Sequence, residues 1–175
     1  MSHLRSQFRF LQLDIAEMTK GKTARLLPVL CSESAAILAW YRLNRGLFLW
    51  LGNAWRSARL VLSPFMPIIR LFVSSELDYR AEIGPGLRLL HPQLGYVVGG
   101  RCQLGRNVIL AGGNCIGDGE VVLGDFVQLG VGSSVVGSVR VGSNVTVGAG
   151  AVVTHDFAGP GTLAGVPATP VHVGR

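Results

Sequence analysis

From residue 83 onward, aliphatic side chains return every six residues: Ile83, Leu89, Val98, Leu104, Leu110, Ile116, Leu123, Leu129, Val135, Val141, Val147 and Val153. Two intervals break step, nine residues between Leu89 and Val98 and seven between Ile116 and Leu123. A helix needs a period near 3.6 and a half-exposed strand a period of 2, so neither accommodates the series. A three-sided coil with one hexapeptide to a side does. The aliphatic points inward, and four residues later most units place something small or apolar (Val108, Val127, Ser133, Val139, Val145, Ala151). Glycine follows the aliphatic in eight of the twelve units (84, 99, 105, 117, 124, 130, 142, 148). We read these as corner residues chosen for tolerance of unusual dihedrals. Eighteen residues complete a coil, which predicts Val98 over Ile116 over Val135 over Val153. Roughly four coils at the ordinary strand spacing give a prism about 20 Å tall. A Gly-rich β-sandwich is the alternative, and twelve positions in register argue against it.

The rest of the chain differs in kind. Only Gly21, Gly46 and Gly52 precede residue 74, against 21 glycines after it. Residues 1–73 hold ten Lys and Arg against three acids, whereas residues 74–175 hold six against seven. Trp40, Trp50 and Trp55 all lie in the front part. The expected organisation is an α-helical segment over 1–73, a β-helix over 74–168 and a tail over 169–175. Charged residues make up only 15% of the chain, low enough to expect apolar surface that meets a partner or a bilayer. Cys31, Cys102 and Cys115 form no metal-ligand spacing and are odd in number, so we read reduced thiols in a cytoplasmic protein. Arg9 and Asp14 interrupt the apolar run a signal peptide needs. No run of about 18 apolar residues exists to span a membrane.

The motifs around the larger interruption carry a resemblance. Glu76 stands seven residues before Ile83-Gly84, and His91 precedes Gly95-Tyr96-Val97-Val98-Gly99. Val147-Gly-Ala-Gly-Ala-Val-Val153 is followed by Ala164-Gly165-Val166-Pro167-Ala168. These resemble the hexapeptide-repeat acyltransferases, in the serine acetyltransferase branch, and look closest to its polysaccharide-modifying, colanic-acid type members. The resemblance implies a left-handed parallel β-helix assembled as a homotrimer, with active sites between neighbouring prisms. It implies His91 as catalytic base, Glu76 as its acidic partner with Asp78 in reserve, and acetyl-CoA as co-substrate. By the same resemblance, pantetheine meets Gly117, Val131, Ala149 and the turn of Gly165, Pro167 and Ala168. Thr169 stands where the family often has Arg or Lys. His155 and His172 do not match the ligand spacing of β-helical carbonic anhydrases, so no metal is expected.

The chemistry explains the residue types. An alcohol attacking a thioester must lose a proton far less acidic than neutral water can remove. An imidazole near pKa 6.5 can accept it and return it to the leaving thiol. A carboxylate on the other ring nitrogen fixes the tautomer and stabilises the imidazolium. An ordinary loop histidine and a surface acid are the alternative readings of His91 and Glu76.

For the acceptor, the resemblance to true serine acetyltransferases is incomplete. Leu90 occupies the place of an Asp beside the histidine, and the Gly-Gly-Asp-Arg-His-Pro loop is missing. An ammonium and a carboxylate without partners bind poorly. The expectation is therefore transfer to a saccharide or polysaccharide-precursor hydroxyl. Serine O-acetylation and a non-catalytic trimeric scaffold are the alternatives. The front segment adds a location. Residues 34–60 read as one helix stopped by Pro64 and Pro67, with Arg42, Arg45, Arg56 and Arg59 along a single face. Such a basic, tryptophan-bearing segment, followed by the apolar stretch 60–69, is expected either to rest on the inner face of an anionic membrane or to pack against the trimer. No nucleic-acid motif accompanies the charge.

Overall fold

The nature of this chain's repeat leaves little choice of architecture. A six-residue side holds only a short extended run before it must turn, so each strand pairs with its counterpart one coil away. The computed structural model describes residues 2–19, 26–65, 75–117 and 119–171. In it, parallel strands stack on three faces. The first face runs β1 (Glu76–Leu77), β4 (Tyr96–Val98), β7 (Asn114–Gly117), β10 (Ser134–Val136) and β13 (Val152–Val153). The second is β2 (Glu82–Ile83), β5 (Gln103–Leu104), β8 (Val122–Leu123) and β11 (Arg140–Val141). The third is β3 (Arg88–Leu89), β6 (Ile109–Leu110), β9 (Gln128–Leu129), β12 (Val145–Val147) and β14 (Gly161–Ala164), with β15 (Thr169–Val171) added antiparallel. Residues 169–171, expected as tail, thus close the third face. The backbone groups along β14 that had no further coil to meet find partners there.

The register follows the hexapeptide arithmetic. Val98 pairs with Ile116, Ile116 with Val135, and Val135 with Val153. All twelve aliphatics of the series are buried, and each contributes about 1.5–3 kcal/mol by leaving water. Leu163 extends the third-face column beyond Val147. The intervals that broke step lie at corners, so the columns resume in phase after them.

One expectation about glycine is corrected. None of the eight glycines that follow an aliphatic has a positive φ. They are small because coils stack tightly: a Cβ on Gly105 would fall 2.6 Å from the Gly124 carbonyl carbon, and one on Gly124 2.6 Å from the Ser143 nitrogen. The left-handed backbone conformation falls elsewhere, at Asn107, Phe126 and Asn144 on one corner and at Gly113, Gly132 and Gly150 on another.

The helical segment comprises α1 (Ser2–Thr19), α2 (Leu26–Leu30), α3 (Glu33–Leu51) and α4 (Asn53–Val61). Ser32 caps α3 by accepting the Ala35 N–H at 3.2 Å. The expected single helix over 34–60 is broken at Gly52, whose φ of 56° ends α3. Helix α3 covers the open end of the solenoid, where the first coil has no neighbour to pair its backbone. Tyr41 Oη donates to the Ala81 carbonyl (2.8 Å), Ser34 Oγ to that of Leu89 (3.0 Å), and Arg42 to those of Ile83 and Gly84 (2.7 Å each). From α1, Asp14 accepts the Gly86 and Leu87 N–H groups and pairs with Arg42 at 2.9 Å, both side chains buried. Burial lifts the Asp14 carboxyl above its usual range against the pull of Arg42 and those N–H groups. An end that would otherwise invite edge pairing is closed by side chains.

This also corrects the reading of the arginines as one free face. Arg42 is in the core, and Arg45 donates to the Arg80 carbonyl at 2.9 Å. Arg59 donates to Asn44 at 2.6 Å and lies 4.5 Å from the Tyr79 ring centroid. Only Arg56 of the four is exposed. No described helix is long and apolar enough to cross a membrane. Residues 66–69 with Pro67, the boundary near residue 73, and His172 lie outside the described residues.

Candidate active site

The nine-residue interval between Leu89 and Val98 builds the site. Its extra residues form a single 3-10 turn, Pro92–Leu94, with His91 at its N-cap. Proline at the first turn position suits that geometry, since its missing N–H has no partner to lose. The turn pushes His91 out from the corner where the third face passes into the first. His91 is exposed. Its backbone is held on both sides: the N–H donates to Tyr96 Oη at 3.1 Å, and the carbonyl accepts from Leu94 N–H at 3.1 Å. Below it lies Gly112, where a Cβ would come 2.9 Å from the His91 carbonyl oxygen and 3.1 Å from His91 Cβ. The widened corner thus rests directly on the next coil.

Glu76 lies on β1, opposite Val97 of β4, the strand that leaves the His91 corner. Its side chain is exposed and engaged. The residue before it, Ser75, accepts the Tyr96 N–H at 3.2 Å. Ser75, Tyr96 and His91 are therefore joined in one chain of contacts, and Glu76 starts at its end. Asp78, the reserve acid, is committed elsewhere: its carboxylate takes Arg80 at 2.6 and 3.0 Å and the Arg80 N–H at 2.8 Å. Partial burial works to raise the Asp78 carboxyl, but the Arg80 contacts hold it below its usual value.

The third-face register extends the site along the prism. Since Leu89, Leu110, Leu129, Val147 and Leu163 stack, the residues two positions on stack too: His91, Gly112, Val131, Ala149 and Gly165. Val131 and Ala149 are exposed on this edge, and the Val131 carbonyl accepts the Gly150 N–H at 2.9 Å. At the far end, the turn of residues 165–168 clamps onto β13, with Val152 N–H donating to Gly165 O (3.0 Å) and Ala168 N–H to Val152 O (2.8 Å). Gly165 and Pro167 are exposed and Ala168 half-buried. The structure brings five of the six residues expected at pantetheine to the His91 edge. Gly117 is not among them: it is buried at the corner between the first and second faces, packed on Gly99.

Three supporting residues escaped the sequence reading. Tyr96 is buried, which pushes its hydroxyl up to about 12. Beneath it in the same column are Asn114 and Ser133, both buried. Asn114 Oδ1 accepts the Gly112 N–H (2.9 Å), while its Nδ2 donates to Gly130 O (2.7 Å) and Ser133 Oγ (3.1 Å). This ladder holds the turns below His91. The signal was there: Asn114 stands four residues after Leu110, where most units of the repeat put something small or apolar. Among the described residues, no group of three His, Cys, Asp or Glu side chains is placed to hold a metal ion.

Residues 120–155 match the family described as bacterial transferase hexapeptide (six repeats). The chain is 32% identical over 107 residues to a serine acetyltransferase of Staphylococcus aureus, covering 57% of this chain and 50% of that protein. Against the serine acetyltransferase of Bacillus licheniformis the identity is 33% over 107 residues, 57% of this chain and 49% of the other. The chain spans about half the length of these curated relatives. The crystal structure of the Neisseria gonorrhoeae serine acetyltransferase superposes with a TM-score of 0.79 at 25% identity, over 96% of this chain and 67% of that one. A serine acetyltransferase in complex with CoA matches the fold with a TM-score of 0.80 at 24% identity, over 95% of this chain and 70% of the other. The two structural superpositions take in the helical segment as well as the solenoid.

Proposed function

We propose that the chain is an acetyl-CoA-dependent O-acetyltransferase in which His91 is the general base and Glu76 orients it. The observation that carries this reading is the exposed His91 at the head of an edge where Val131, Ala149 and Gly165 stand exposed, open to a thin, extended ligand. Pantetheine fits such an edge, and small side chains let it approach closely. In the reaction, the acceptor oxygen attacks the thioester carbonyl as the imidazole takes its proton. The tetrahedral intermediate then expels the CoA thiolate, which recovers that proton from the imidazolium. Removal of such a base lowers the rate about 10²–10⁴-fold. The part of Gly117, on another edge, depends on the trimer that the resemblance implies.

The named activity of the relatives supports serine as acceptor over the saccharide expected from the motifs alone. One observation favours the second reading. Leu90, 44% exposed beside His91, offers an ammonium group no partner, which suits a neutral sugar hydroxyl better than an amino acid. Thiol release from acetyl-CoA, measured with serine and separately with a panel of saccharides, tests both. Serine-dependent release supports the first acceptor, and saccharide-dependent release alone supports the second. No release with either from folded protein would leave the scaffold.

A further inference from the structure

The interior beneath the His91 corner is not built like the rest of the prism. Tyr96, Asn114 and Ser133 are the buried side chains of the described solenoid that carry oxygen or nitrogen, and they share one column there. A phenyl ring would fill the space of Tyr96 without taking a hydroxyl out of water, which costs free energy unless the group is bonded. What the hydroxyl adds is a partner for the His91 N–H, accepted at 3.1 Å. One residue earlier, the Leu90 N–H still donates to the Leu110 carbonyl of the next coil at 3.0 Å. At His91 the tyrosine takes over from the ladder.

The main chain of Tyr96 holds a second point. Its N–H donates to Ser75 Oγ at 3.2 Å, and Ser75 stands directly before Glu76 at the start of β1. One residue thus touches both segments that bear the proposed base and its acidic partner, through the hydroxyl at one and the amide at the other. Gly112 closes the way inward, since the His91 carbonyl already lies 2.9 Å from where its Cβ would be. A turn released from the tyrosine has only outward movement open to it. We propose that Tyr96 is a positioning residue that fixes His91 relative to the strand carrying Glu76. The proposal rests on the reading of His91 as general base. It goes further by assigning the alignment of the pair to a side chain that is 1% exposed and so touches neither acetyl-CoA nor acceptor.

The test has two readouts, one of them independent of catalysis. In Tyr96→Phe, hydrogen exchange at the His91 amide, followed by NMR, speeds up at least about tenfold, while that at Leu90 keeps its rate. Thiol release from acetyl-CoA, with serine or the most active saccharide as acceptor, loses about tenfold in kcat at an unchanged KM for acetyl-CoA, as a slightly displaced base requires. On a Glu76→Gln background, with no carboxylate left to align, the same change costs less than about threefold. Ser75→Ala cuts the other attachment and shows the same dependence on Glu76 at a smaller loss, about threefold, should Tyr96→Phe fail to fold. Gly105→Ala, at a stacking contact on another corner, lowers the melting temperature and keeps kcat, which separates alignment from stability. Full activity in Tyr96→Phe beside an inactive His91→Ala would overturn the proposal and leave the base in place. So would an equal loss on both backgrounds, or unchanged exchange at the His91 amide. Equal rates for His91→Ala and the unaltered protein would instead remove the functional reading beneath it.

Discussion

The two parts of this molecule are held by different forces. In the solenoid, stability comes from repetition: stacked aliphatics inside, parallel backbone ladders on three faces, and charged side chains kept outside. The helical segment adds Ile37 and Leu38 to the same core but also takes polar groups out of water, with Asp14, Arg42, Tyr41 and Ser34 meeting the unpaired backbone of the first coil. The contrast teaches why such a prism needs a cap at all. Every inner coil satisfies its neighbour, but the first has carbonyls and amides facing nothing, and only side chains with matching donors and acceptors can close it.

The largest effect is expected where the two parts meet. Asp14→Ala leaves the Arg42 guanidinium buried without its counter-charge and costs about 3–5 kcal/mol in urea unfolding. Adding Arg42→Met should recover part of that loss. A single variant costing no more than an exposed substitution would break the distinction between the parts. Within the solenoid, Gly105→Ala forces a methyl against the Gly124 backbone and costs about 1–3 kcal/mol. Gly132→Ala, with open space around its Cβ but a φ of 68°, costs about 1 kcal/mol through backbone strain alone. Melting temperatures of the pair would show whether stacking or turn geometry dominates. The smallest effect belongs to the solvated pair on the rim. Asp78→Asn costs less than about 1 kcal/mol, because Arg80 is half-exposed and water screens the contact. Its sign with pH follows from the lowered carboxyl: the stabilisation is present above the unfolded value of 3.8 and fades as pH falls through the folded value. The two melting curves should therefore converge in acid.

Much of the solenoid was legible because a repeat states each residue's surroundings by its spacing alone. The column of Val98, Ile116, Val135 and Val153 needs no information beyond one coil of eighteen or nineteen residues. The position of His91 was legible for the same reason, as an insertion in a counted series. Arg42 was not. Its partners lie 28 residues before it and 41 after it, and helical periodicity alone places it on a face with three arginines of other fates. Gly52 likewise looks like one tolerated glycine in a helix until the backbone turns there. The role of the eight repeat glycines was misread because contact between coils, unlike a turn, leaves no mark in one coil's sequence. Leu163 follows Val147 by sixteen residues, so it fell outside a count of eighteen.

The central claim is that the widened corner above Gly112 places an imidazole where it removes the acceptor's proton. Steady-state thiol release from acetyl-CoA, compared between the unaltered protein and His91→Ala of equal melting temperature, addresses it most directly. The account requires a drop of about 10²–10⁴-fold in kcat with the CoA affinity largely kept. Equal rates in the two proteins would contradict it.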